Sequence, residues 1–389
     1  MRILISLMYY RPHTSGLTIY TERLARALAR RGHQVTVLTS RFDPSLPRWE
    51  VKDGVTIVRP KVLLRVSKGV IMPSLPIHAW RLIRQADVVN PHVPQPDAAV
   101  IASIGRLFRK PVILTYHCDL RLPKGLVNFF ANHGSHLTNH VSASLANVIV
   151  TYTYDFAEHS PFLKRYLSKV RPILPPVELE SISEVDLATF RAKHKIQPSQ
   201  RVIGMAARLA TEKGVEYLVK ALPEVIQRHP ETRVLFAGQS EGVMGEEQYA
   251  EQLKPLIEQL DTHWAFLGLL SSRELAAFYR VADVTVLPSI NSTESFGMVQ
   301  VESMTCGTPV VASDLPGVRY PVLTTGMGAI VPPTDVHALS KALLNILDQP
   351  NGYHGNPQEI SRRYAPDKIA AEYEQVMREL IYKGSVKQG

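Results

Sequence analysis

A chain of 389 residues, 45% hydrophobic and 20% charged, is long enough for two domains that each bury a core, and its composition is that of a soluble globular protein. Its two cysteines, Cys118 and Cys306, lack metal-type spacing, which argues against a disulfide framework or zinc site and for a reducing compartment. The net charge of +9 is uneven: residues 1–175 carry 24 Lys and Arg against 9 Asp and Glu, and residues 176–389 carry 20 against 26. A balance of +15 in one half and −6 in the other suggests either that the first half meets an anionic partner, membrane or nucleic acid, or simply that its surface is basic.

The opening MRILISLMYYRP enters a strand at once, without the apolar core or cleavage site of a signal peptide, and no run reaches the ~20 apolar residues that span a bilayer. A cytoplasmic protein is expected. Residues 2–8 and 35–39 read as strands. Between them, residues 18–31 read as an amphipathic helix with Tyr20, Leu24, Ala27 and Leu28 on one stripe, ended by Gly32. This βαβ opening is of Rossmann type, yet the loop Arg11-Pro-His-Thr-Ser-Gly16 is not G-x-G-x-x-G, which speaks against a dinucleotide cofactor.

Residues 61–84 interleave Lys61, Arg65, Lys68, Arg81 and Arg84 with Leu, Val, Ile and Trp80. The segment reads either as one that lies in a lipid interface or as a core helix with a solvated basic face, interrupted by Pro73 and Pro76. Residues 87–90 and 112–115 read as strands, the second running into His117. A His at the C-terminal end of a parallel strand points into the ligand crevice of such sheets, though a lone His is more often structural. Residues 124–145 carry His133, His136 and His140 with Asn128, Asn132 and Asn139. His136 and His140 are spaced i, i+4, but no third ligand accompanies them, and they read as polar helix residues rather than a metal site. Residues 148–151 read as the last strand of the first domain and Leu174-Pro-Pro-Val177 as a linker.

The second domain opens with a strand, residues 201–205, that runs into Arg208-Leu-Ala-Thr-Glu-Lys213-Gly214. Taken alone, such a pair of cations reads as a surface pair. Residues 234–238 form a strand ending in Gly238, where the backbone must approach a ligand or neighbour closely. Residues 264–270 pass Gly268 before a helix start at Ser271 with Glu274 in its first turn. Residues 284–312, VTVLPSINSTESFGMVQVESMTCGTPVVA, then read as strand, polar loop, helix from about Phe296–Gly297, Gly-Thr-Pro stop and strand. Units of this kind build parallel sheets with ligands at the strand C-terminal ends. Glu294 and Glu302 sit eight residues apart on it. The backbone of Ser295-Phe296-Gly297-Met298 offers N–H groups at a helix N-terminus, suited to anionic or hydroxyl-rich ligands.

The pattern E-S-F-G-x-x-x-x-E followed by C-G-T-P-V-V-A resembles the donor-sugar motif of the retaining glycosyltransferases of the group 1 / family 4 type. The resemblance implies an α/β protein of GT-B architecture, two Rossmann-like domains with parallel sheets facing across a cleft. Its boundaries would be an acceptor-binding domain at 1–175, joined by a C-terminal helix at 366–389, and a nucleotide-sugar-binding domain at 176–365. It implies a catalytic set of His117, Arg208, Lys213 and Glu294. Donor-binding positions would be Gly16, Gly238, Gly268, Ser295, Phe296, Gly297, Met298, Val299 and Glu302, with Glu294 and nearby amides on sugar hydroxyls and Glu302 on the ribose. The segment around Arg208 resembles G-R-x-x-x-x-K-G with Ala207 where Gly is usual. Ser15 replaces the first Gly of a pair in the first loop, and residues 317–321 lack an acidic residue that many relatives carry.

The implied reaction moves a hexose from a UDP- or GDP-sugar with retention of configuration. No Asp-x-Asp motif occurs, so Arg208, Lys213 and helix amides are expected in place of a divalent cation, with no cofactor beyond the nucleotide-sugar substrate. Front-face attack is expected, with Glu294 a sugar-hydroxyl ligand rather than the nucleophile of a two-carboxylate scheme. The basic first half and residues 61–84 suggest a lipid or lipid-linked acceptor at the anionic inner face of the plasma membrane. Two rival readings are a sugar-nucleotide epimerase on the same fold and a basic nucleic-acid-binding protein. The second lacks any helix-turn-helix or aromatic-basic interleaving beyond 61–84, and no nucleic-acid partner is expected.

Overall fold

A computed structural model describes residues 1–66, 69–119, 126–349, 352–353 and 355–386. The chain divides into two compact units, Met1–Pro176 with Tyr364–Gly389, and Val177–Arg363.

The first unit is built on an eight-stranded sheet. Its order is Val170–Pro172, Val148–Thr151, Ile113–Tyr116, Val88–Val93, Arg2–Ser6, Gln34–Leu38, Val55–Val58 and Trp49–Lys52. Every pairing is parallel except the last, where Trp49–Lys52 lies antiparallel at the edge. The central strands are buried along nearly their whole length because crossover helices cover such sheets on both faces. Arg2–Ser6 pairs with the next strand on one side and with Val88–Val93 on the other, so the chain reverses its direction of sheet building there.

The first crossover helix, Gly16–Arg30, is capped by Ser15, whose side chain accepts from the Thr18 N–H at 3.3 Å. Ser15 has extended backbone, φ −156°, so a residue with a Cβ fits there without strain. Gly32 follows the helix at φ +82°, in the left-handed region that favours glycine. The basic segment at 61–84 forms an antiparallel hairpin, Leu64–Val66 with Gly69–Ile71, and a helix, Leu75–Gln85. Pro76 lies in the helix's first turn, where its missing N–H costs nothing. Leu75, Ala79 and Ile83 are buried, whereas Ile77 and Trp80 stand exposed beside Arg81 and Arg84. Lys68 lies outside the described residues, as do the side chains of Asn128, Asn132 and His133. His140 is bonded through Nδ1 to the Tyr166 hydroxyl at 2.8 Å.

The C-terminal helix, Pro366–Val386, packs on Gly16–Arg30. The Tyr373 hydroxyl meets that of Tyr20 at 2.8 Å in the interior, and Arg31 pairs with Asp367 and Glu374 at 3.2 and 2.9 Å. Among the described residues no helix is long and apolar enough to cross a membrane.

The second unit carries a six-stranded, all-parallel sheet. Its order is Trp264–Gly268, Thr232–Ala237, Arg201–Ala206, Val284–Leu287, Val310–Ser313 and Gly328–Val331. From Arg201–Ala206 the chain adds two strands on one side, then returns to add three on the other. The switch lies between Arg201–Ala206 and Val284–Leu287. Loops leaving two such strands diverge from a common crevice, where open α/β sheets bind ligands.

Candidate active site

The two loops at the switch of the second unit are 207–214 and 288–297. In the first, Thr211–Lys213 forms one 3-10 turn, and Gly214 at φ +65° opens the helix Val215–Arg228. A Cβ on Gly214 would stand 2.1 Å from the Pro288 carbonyl oxygen, so the close approach of the two loops requires glycine here. The Ile290 N–H donates to the Glu212 carbonyl at 3.1 Å and holds them together. On this frame the Lys213 ammonium donates to Glu294 Oε2 at 2.6 Å, both side chains being largely buried. Arg208, at the mouth of the same loop, donates to Glu212 at 3.0 Å and is 46% exposed. The structure therefore brings Lys213 and Glu294 into direct contact and gives Arg208 a different carboxylate partner.

The second loop is shaped by its own side chains. Asn291 Oδ1 accepts from the Thr293 N–H at 3.0 Å and its carbonyl from the Glu294 N–H at 3.2 Å, which turns the chain before Ser295. Phe296 is buried and anchors the loop against Tyr320. Gly297 precedes the helix Met298–Thr305 at φ +77°, and a Cβ there would meet a Leu287 methyl at 2.3 Å. The N–H groups of Met298 and Val299 belong to the first turn of that helix, which has no intrahelical acceptors for them. Glu302 lies one turn on, nearly buried, and accepts from the Tyr279 hydroxyl at 3.1 Å. Burial, with the Glu302 charge second, pushes the Cys306 thiol up to about 12. Gly238 and Gly268 meet on neighbouring strands through a 2.8 Å backbone bond. A Cβ on Gly238 would strike the Ala207 carbonyl, so this glycine serves the approach of strand to strand.

Several supporting residues carry no motif. Gln300 is buried and donates from Nε2 to the carbonyls of Phe296 and Val318, both at 2.9 Å, tying the 288–297 loop to the turn beyond the next strand. Tyr279, which orients Glu302, reads in sequence as one apolar position of the helix Ser272–Val281. Glu212 stands four residues after Arg208, and that spacing was the one available sign of the pair.

Residues 186–365 match the family of group 1 glycosyl transferases, and residues 14–180 match glycosyltransferase family 4. The chain belongs to the group 1 glycosyltransferases. It is 25% identical to an uncharacterised glycosyltransferase of Methanocaldococcus jannaschii, over 96% of each chain. It is 28% identical to the phosphatidyl-myo-inositol mannosyltransferase of Mycobacterium leprae, covering 95% of this chain and 94% of that one. Among solved structures it superposes on Anabaena HepE in complex with UDP-glucose with a TM-score of 0.75 at 19% identity, over 97% of this chain and all of that one. Its fold is GT-B.

In the first unit of this glycosyltransferase, Gly16 is the first residue of the helix Gly16–Arg30. His117 follows the strand Ile113–Tyr116 with its ring inside the unit, 1% exposed. Its Nδ1 contacts the Tyr152 hydroxyl at 2.5 Å and its Nε2 contacts His92 Nδ1 at 2.9 Å. His92 Nε2 in turn meets Asn90 Oδ1 at 3.1 Å, and Asn90 Nδ2 donates to Thr115 and to the Ile113 carbonyl. An amide oxygen only accepts, so His92 donates from Nε2 and offers Nδ1 as acceptor. His117 therefore carries its proton on Nε2 and accepts from Tyr152 on Nδ1. Burial lowers both imidazoles, His117 to about 3 and His92 well below its usual value, and holds the pair neutral. Tyr373 closes the network through Thr115 at 3.0 Å.

Proposed function

We propose that the second unit binds a UDP- or GDP-linked hexose and that the enzyme transfers the sugar, with retention of configuration, to a lipid or lipid-linked acceptor held by the first unit. The observation that carries this reading is the 2.6 Å contact of Lys213 with Glu294 at the switch of the second sheet, with Arg208 on the same loop. When the bond from the anomeric carbon to the diphosphate oxygen breaks, that oxygen keeps the electron pair. Arg208, Lys213 and the first amides of Met298–Thr305 offset the charge that develops there. The departing phosphate oxygen takes the proton of the acceptor hydroxyl as that hydroxyl attacks from the same face. Glu294 accepts from sugar hydroxyls and Glu302 from the ribose.

A lipid acceptor is supported by the mycobacterial relatives named for phosphatidyl-myo-inositol and by the exposed mixture of Trp80, Ile77, Arg81 and Arg84 on Leu75–Gln85. Apolar and basic groups side by side suit an anionic membrane face, here the inner one.

The test is turnover of UDP-glucose and GDP-mannose with a lipid-phosphate acceptor. Arg208→Ala and Lys213→Ala should each lower turnover by about 10²- to 10³-fold, as loss of an oxyanion donor does. Chelation by EDTA should leave the rate unchanged, and the product should keep the donor's anomeric configuration by NMR. Wild-type rates in both variants refute the assigned roles. Failure to co-sediment with phosphatidylglycerol vesicles at low salt refutes the membrane acceptor.

A further inference from the structure

The loop that carries Arg208 and Lys213 is held from a second side by residues that no motif marks. Glu246 precedes the helix Glu247–Glu258 and is 7% exposed. Its Oε2 accepts twice from Thr211, from the backbone N–H at 2.9 Å and from the hydroxyl at 2.8 Å. One helical turn on, the Tyr249 hydroxyl donates to the Glu216 carboxylate and accepts from the Glu216 N–H. Glu216 is the second residue of Val215–Arg228, so this contact fixes the helix start that Lys213–Gly214 leads into. The Leu209 N–H donates to the Gln239 carbonyl at 2.8 Å and completes the seam. Thr211 lies between the two cations, three residues after Arg208 and two before Lys213.

We infer that Glu246 is a positioning residue for sugar transfer, fixing the 208–214 loop so that Arg208 and Lys213 face the departing diphosphate. The geometry favours this over general bracing of the fold for two reasons. A carboxylate that is nearly buried loses hydration that only good acceptor geometry restores, and both of its bonds here fall on one residue of the catalytic turn. Moreover, the opposite wall of the loop is the Lys213–Glu294 and Ile290–Glu212 contacts, so Glu246 sets how far the turn stands from the sugar-binding loop. The inference rests on the roles proposed for Arg208 and Lys213.

The experiment measures release of UDP from UDP-glucose and of GDP from GDP-mannose, with melting temperatures taken alongside. Glu246→Ala should lower kcat by about 10- to 100-fold, the scale on which a displaced catalytic group acts. Thr211→Val, which removes only the hydroxyl bond, should give a smaller loss in the same direction and serves if Glu246→Ala does not fold. Glu246→Gln should stay within about threefold of wild type, because an amide oxygen still accepts at the same place. In a Lys213→Ala background, Glu246→Ala should cost far less than it does alone, since two groups that act through one another do not add. Full additivity with Lys213→Ala, or wild-type kcat in both Glu246→Ala and Thr211→Val, overturns the inference. If Lys213→Ala and Arg208→Ala are themselves at wild-type rate, the underlying assignment falls instead.

Discussion

The buried imidazole pair makes the stability of the first unit depend on pH in a way that follows from geometry. In the unfolded chain His117 titrates near 6.5, whereas in the fold burial holds it to about 3. Between those values the unfolded state binds more protons than the folded one, so stability is fully present above pH 6.5 and is lost as the pH falls below it. At pH 5.0 the deficit is 1.5 pH units at about 1.36 kcal/mol each, roughly 2 kcal/mol for His117 alone. The figure is insensitive to the folded value, because the ring is neutral at pH 5.0 whether it titrates at 3 or at 4. His92, lowered in the same direction, adds to the loss. Urea unfolding at pH 7.5 and 5.0 measures it. In a Trp264→Phe background the remaining tryptophans, Trp49 and Trp80, both lie in the first unit and report it alone. Adding His117→Gln should leave a pH slope shallower by about 2 kcal/mol over that interval, whatever the variant's own stability at pH 7.5. Parallel slopes, or an NMR midpoint for His117 near 6.5, would refute the reasoning.

Three further outcomes follow from local geometry. Alanine should destabilise in the order Gly214, Gly297, Gly268. All three have φ between +65° and +77°, but a Cβ meets a backbone oxygen at the first, movable side-chain ends at the second and nothing within 4 Å at the third. Gly268→Ala should therefore show only the strain of the left-handed region, about 1–2 kcal/mol, in thermal melts. Tyr373→Phe removes a hydroxyl shared by Tyr20 and Thr115 in the interior, and should cost about 1–3 kcal/mol by the same urea assay. Cys306, its thiol pushed up to about 12, should resist iodoacetamide at pH 8 in the folded enzyme and react on denaturation.

Periodicity and glycine placement made the strand–helix alternation legible, and the strongest stretch, residues 284–312, folds as strand, loop, helix and strand with its ends within a residue or two of those expected. What could not be read was the pairing of charges. Lys213 and Glu294 are 81 positions apart, and their contact comes from strands that become neighbours only when the sheet reverses. Arg208 and Lys213 look equivalent in sequence, yet the turn sends one to Glu212 and the other to Glu294. Glu246, Asn90 and His92 belong to no motif, and their meaning appears only when the sheet brings their partners near. Residues 61–84 were ambiguous for a physical reason: one face of Leu75–Gln85 is core while the other mixes apolar and basic groups, a pattern that a solvated basic face and a lipid-facing one share.

The Lys213–Glu294 contact also bears on the proposed retention of configuration. A nucleophilic carboxylate must present an oxygen to the anomeric carbon with its electron pair free, and Oε2 of Glu294 already accepts a charge-assisted bond from an ammonium. That bond orients the carboxylate and occupies one of its oxygens, which suits a group that accepts from sugar hydroxyls better than one that attacks carbon. Glu294→Gln separates the two roles, because an amide oxygen can still accept a hydroxyl but cannot form a glycosyl ester. As a ligand, the residue should lose roughly 10- to 100-fold in kcat/KM on this change, the worth of one hydrogen bond to a charged group. As a nucleophile it should lose all transfer, and wild type quenched in turnover should carry a hexose on the peptide containing Glu294. Intact mass spectrometry of quenched wild type, with the rate of the variant, decides between them, and a sugar adduct on Glu294 would overturn front-face attack.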